Sequence, residues 1–157
     1  MNKLDDLVKG FIERSEGDAT LLKELEIKQH ELVTKQEEKA RQTAMKLIPA
    51  MELIASMGYR FKGKDTNYMS SRGPVLYHDS RNNMLYVFSV ENKGPITVNL
   101  YDNEVKRTTY RKLLEIVDFT QVMDSLLMVL HLNDDVKESY KKSNAKLEDE
   151  LNKYDDI

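Results

Sequence analysis

Between Thr34 and Thr43 the chain reads TKQEEKARQT, and Ala40 is its only apolar residue. The segment lies inside a longer pattern in which Leu21, Leu22, Leu25, Leu32, Ala40, Ala44, Leu47, Ile48, Met51 and Ile54 recur at helical spacing. That spacing predicts a helix of about 35 residues, against a usual length of roughly 11–12 in compact domains. A helix cannot bury a face it lacks, so its middle is solvated or sits in a polar coiled coil. One small sheet cannot account for so long a helix. Upstream, Leu4, Leu7, Val8, Phe11 and Ile12 form a short amphipathic turn-and-a-half. Ser15-Glu16-Gly17-Asp18 reads as a break, with Asp18 or Thr20 as the cap of the second helix. Pro49 should kink or restart that helix near Leu47, because it removes a hydrogen bond and clashes one turn back.

The middle of the chain reads as sheet. Candidate strands are Tyr59–Lys62, Pro74–His78, Met84–Val90, the alternating run Ile96–Tyr101, and the polar edge strand Val105–Tyr110. Their links, SRNN, NKGP and Asp102-Asn103, are short and carry residues tolerant of positive φ, which predicts antiparallel hairpins. The last third is helical again: an apolar helix from Leu113 to Leu130, then a final helix capped near Asn133-Asp134-Asp135 with a narrow stripe of Val136, Tyr140, Leu147, Leu151 and Tyr154. The expected architecture is α+β. A long N-terminal helical segment (1–57) precedes an antiparallel meander of four to five strands (58–110) and two C-terminal helices (111–157), all in one domain. The Leu113–Leu130 helix is expected to cover one amphipathic sheet face.

Charge is uneven along this plan. Residues 1–58 carry a net −2, residues 59–112 a net +5 and residues 113–157 a net −6, within a chain total of −3. One explanation is that the acidic C-terminal helices neutralise the sheet, within one chain or across a dimer. The other is a nucleic-acid surface built on Arg60, Lys62, Arg81, Lys106, Arg107 and Arg111, with Tyr59, Tyr68 or Tyr101 as stacking faces. The acidic total works against nonspecific phosphate affinity.

Catalytic patterns are missing at the level of sequence. There is no Cys, hence no disulfide framework, thiolate metal site or cysteine nucleophile. The three histidines, His30, His78 and His131, have no second His or carboxylate at an i+3 or i+4 spacing that forms a known metal site; His131 beside Asp134 and Asp135 is the nearest approach. His131 reads as a helix C-terminal histidine, and Asp79 after His78 as a turn former. The six glycines never cluster into a phosphate-cradling loop. No stretch reaches the roughly 18 apolar residues of a membrane span, and Asp5-Asp6 argues against a signal peptide. The expectation is a cytoplasmic, non-enzymatic protein with no cofactor and no bound metal.

Two features point to partners. The Gly63–Gly73 loop (GKDTNYMSSRG) is long for a structureless connection and carries the anchor-type residues Lys64, Tyr68, Met69 and Arg72. The long N-terminal helix and the final helix suit pairing between chains, through Leu25, Leu32, Tyr140, Leu147, Leu151 and Tyr154. The reading is a homodimeric interaction protein that binds another protein, similar in style to small adaptors, regulators and inhibitors of bacteria and phages. The alternative is nucleic-acid binding through the basic segment 59–112.

Overall fold

The computed structural model describes residues 2–64 and 66–157. The chain divides into two units, Met1–Lys39 and Ala40–Ile157. Helix α1 (Lys3–Ser56) supplies all of the first unit described beyond Asn2 and the opening element of the second.

The expected break at Ser15–Asp18 is absent: α1 runs through it without a cap. Leu4 and Leu22 are separated by about five full turns, so the apolar positions on either side of the break share one face. A single mid-helix glycine costs only about 1 kcal/mol relative to alanine. Asp5 and Asp6 stand in the first turn, where carboxylates suit the positive end of the helix dipole, and Asn2 Oδ1 accepts the Asp5 N–H at 2.8 Å. Pro49 does not restart the helix either. Its ring lies on the exposed side, as does the Met45 side chain one turn earlier, where an unpaired carbonyl can be hydrated.

In the second unit the architecture is α+β, as the alternation of strand and turn residues predicts. β3 (Val75–Asp79), β4 (Met84–Ser89), β5 (Gly94–Asn99) and β6 (Val105–Arg107) pair in sequence order as an antiparallel meander. β1 (Phe61–Lys62) and β2 (Met69–Ser70) form a separate two-stranded hairpin. The three tight turns place Asn83, Lys93 and Asn103 at φ of 49°, 55° and 61°, in the links read as tolerant of positive φ. Asp79 fixes the first of them, its carboxylate accepting from the Arg81 N–H at 3.1 Å and from Asn82 Nδ2 at 3.0 Å.

The C-terminal helical pair follows, with one correction. The expected Leu113–Leu130 helix is interrupted. α2 (Tyr110–Ile116) ends at Val117, whose backbone is extended at φ −136° and ψ 143°, and α3 (Phe119–Leu127) starts after Asp118. A 3₁₀ turn (Met128–His131) then leads into α4 (Leu132–Asn152), so His131 closes that turn and is at the same time the N-cap of α4. The apolar positions do not stay in phase across Val117–Asp118: Leu113, Leu114 and Val117 share one helical face, while Met123, Leu126, Leu127 and Leu130 fall on another, so reading them as one helix missed the break. Thr109 caps α2 by accepting the Lys112 N–H at 3.2 Å.

Both sheet faces are apolar, where one was expected. Leu76 and Phe88 pack with Ala40, Ala44, Met51, Leu113, Val122 and Leu126, so the second-unit part of α1 joins α2 and α3 over the first face. Val75, Leu85, Val87 and Ile96 form a second buried cluster, and the strand register puts them on the opposite face. Tyr110 belongs to the larger core, with the Arg41 guanidinium 5.8 Å from its ring centroid. Its hydroxyl is buried and has no hydrogen-bond partner among the described residues. Burial pushes its pKa up to about 12, outweighing the opposing pull of Arg41. Below about pH 10 the phenol is neutral in both folded and unfolded chains; between 10 and 12 only the unfolded chain ionises, and stability falls. Tyr110→Phe should therefore raise stability by about 1 kcal/mol at neutral pH. It should also lessen the alkaline loss, both read from urea titrations at pH 8 and 11.

Candidate interaction groove

The candidate site grows from the chain between α1 and β1. Gly58 takes φ 81° at the end of α1, a left-handed conformation that lets the helix stop there. The chain then runs beside the start of α4. Met57, Tyr59, Asn133, Val136, Lys137, Tyr140 and Lys141 line an open depression of about 440 Å³. A second depression, of about 240 Å³, shares Tyr59 and Val136 and adds Arg60, Lys62, Met69, Leu132, Asp135 and Ser139. Together they form a groove with an apolar floor of methionine, tyrosine, valine and leucine. Arg60, Lys62, Lys137 and Lys141 on its rim outnumber the one lining carboxylate, Asp135. Lys141 also stands 3.8 Å from Glu138, an exposed pair that contributes little to stability. The arrangement suits an apolar segment with acidic flanks.

The structure draws residues from all three expected sets into this groove: Met69 from the loop, Arg60 and Lys62 from the basic segment, and Tyr140 from the pairing helices. The other loop residues lie elsewhere. Lys64 donates its N–H to Ser125 Oγ of α3 at 3.1 Å, tying the loop to the core. The Tyr68 ring stands 4.3 Å from that of His78, tilted by 42°, and remains about two-fifths exposed. Arg72 is exposed, and its carbonyl accepts the Val90 N–H at 3.0 Å. Asp65, within the same loop, lies outside the described residues.

The remaining basic residues are not brought to one place. Arg81 stands in the β3–β4 turn, and Arg107 at the far end of the sheet, where its guanidinium reaches Asn92 Oδ1 at 3.5 Å. Lys106 points to the other side of β6 from Arg107 and lies 3.8 Å from Glu104. Arg111 is half-buried in the first turn of α2. Of the pairing residues, Leu25, Leu32, Tyr140, Leu147, Leu151 and Tyr154 are all 48–72 % exposed. Among the described residues, no three His, Asp or Glu side chains converge closely enough to hold a metal ion. No helix there is long and apolar enough to cross a membrane.

Met57, Leu132, Asn133, Asp135, Lys137, Ser139 and Lys141 were missed as site residues in the sequence. Their signal is weak: no sequence pattern singles out Met57 or Leu132, and only the packing of α4 beside Met57–Lys62 shows what they share. Comparison with models of known families, with curated proteins and with solved structures finds no match.

Proposed function

We propose that this is a non-enzymatic interaction protein that acts by binding another protein and works as a homodimer through its helices. The first unit carries the reading. None of its described residues is buried, yet Leu4, Leu7, Val8, Phe11, Ile12, Leu21, Leu22, Leu25 and Leu32 are each 48–65 % exposed along one helix. An apolar stripe of this extent in water is the mark of a surface that a partner covers. Its charged flanks keep the arm soluble until that partner is met.

The loop supplies a second contact in this reading. Tyr68 is held against His78 and half-presented to solvent, the state of a side chain that can anchor a partner with little entropy to lose. Replacing Tyr68 and Arg72 together by alanine is expected to weaken capture of the partner at least tenfold while the melting temperature stays within about 2 °C. Affinity capture with the tagged variant checks this, and unchanged capture removes the loop from the interface. Recovery of nucleic acid instead of protein, with affinity falling steeply as salt rises, would transfer the function to Arg60, Lys62, Lys106 and Arg107.

A further inference from the structure

Building on the homodimer reading, we propose that the groove beside α4 is filled by the C-terminal half of a second copy's α4, the two helices running antiparallel and crossing near Ala145. The apolar stripe of α4 runs from Val136 and Tyr140, which line the groove, to Leu147 and Leu151, and Tyr154 continues it in the turn past the helix end; the last three are 54–72 % exposed. Set antiparallel about Ala145, the helix lays its stripe on itself: Val136 meets the second copy's Tyr154, Tyr140 its Leu151, and Ser143 its Leu147. The incoming tyrosine then enters beside Met57 and Tyr59.

Charge selects this arrangement. Helical spacing puts Lys137, Lys141 and Glu148 on one side of the stripe and Asp135, Lys142 and Lys146 on the other, with Asp155 and Lys153 following in the turn past the helix end. An antiparallel pair brings each side against itself. Lys137 then faces Asp155, Lys141 faces Glu148 and Asp135 faces Lys153, against one like-charge pairing of Lys142 with Lys146, each made twice by the two-fold symmetry. A parallel pair loses all three. The entering segment Leu147–Ile157 holds five carboxylates, Glu148, Asp149, Glu150, Asp155 and Asp156, against Lys153 alone. It comes to a rim that carries Arg60, Lys62, Lys137 and Lys141. The groove and its occupant are thus complementary parts of one helix and the segment beside it.

The native chain has no cysteine, so introduced thiols report without background. Tyr140 and Leu151 stand about 16 Å apart along one helix, too far to bridge within a chain. The full-length double variant Y140C/L151C should oxidise to a covalent dimer, while Y140C and L151C alone should stay monomeric on non-reducing gels. Cross-linking of the single variants would show a parallel pair and overturn the proposal, as would the absence of cross-linking in the double variant. Light scattering of the wild-type chain separates the two levels of failure. A monomer overturns the homodimer reading together with this one and leaves the groove to a different protein; a dimer without the cross-link overturns only the α4 arrangement. As an independent check, K141E should weaken dimerisation roughly tenfold and K141E/E148K should restore it. Failure of the restoration counts against the register.

Discussion

Gly73→Ala should destabilise the Ala40–Ile157 unit by roughly 3 kcal/mol or more, a large fraction of the stability of an ordinary domain. Gly73 takes φ 156°, at the edge of the region that only glycine enters freely, and a Cβ there would lie 1.7 Å from the Phe88 carbonyl oxygen. The obstacle is backbone of a central strand, so no side-chain rotation relieves it. The neighbouring Arg72–Val90 and Phe88–Pro74 backbone bonds, of 3.0 and 2.9 Å, would have to stretch or break together. Gly63→Ala meets a similar wall, with its Cβ 2.0 Å from the Val75 carbonyl oxygen. Gly17→Ala is the control. Nothing lies within 4 Å of a Cβ at that position, and alanine favours the helix. Urea titration of the three variants checks the order: Gly73→Ala and Gly63→Ala far below wild type, Gly17→Ala equal or slightly above.

The second large effect concerns binding alone. Leu22→Lys with Leu25→Lys should weaken partner binding by a hundredfold or more. Each leucine that a partner fully buries contributes about 1.5–3 kcal/mol, and two lost together amount to about 3–6 kcal/mol. Both residues belong to the first unit and are more than half exposed, at 57 % and 56 %. Lysine is a good helix former, so the arm remains helical. The melting transition of the second unit should stay where it is, which separates loss of an interface from loss of the fold. A stable variant that still binds would remove the arm from the function.

The parts of the structure legible in the sequence are those set by neighbours a few residues apart. The strand–turn alternation from Met84 to Arg107 could be read because Asn83, Lys93 and Asn103 tolerate φ above zero and the strands between them are aromatic and β-branched. The solvated middle of α1 was legible for a different reason, since a segment with Ala40 as its only apolar residue has little to bury. Local rules failed where a longer-range pattern overrode them. Ser15–Asp18 has the chemistry of a break, but the apolar face on either side stays in phase over five turns. At Val117–Asp118 the apolar face shifts by about a third of a turn, and reading the two runs as one helix missed a true turn. The groove could not be read at all, because Met57–Lys62 and Leu132–Lys141 are distant in sequence and meet only through packing. The net +5 of residues 59–112 likewise says how much charge the segment carries and nothing about where it goes. Alternation along β6 and the placement of the turns send Lys106, Arg107 and Arg81 to different places.

The central claim is that the exposed helical arm exists to hold another protein. Nuclease-treated affinity capture, run in parallel with the full-length chain and its Leu22→Lys/Leu25→Lys variant and read by mass spectrometry, tests it most directly. The account predicts a protein recovered in fixed proportion with the wild-type chain and lost with the variant. Equal recovery by both, or a wild-type chain that brings down nucleic acid and no protein, would contradict it.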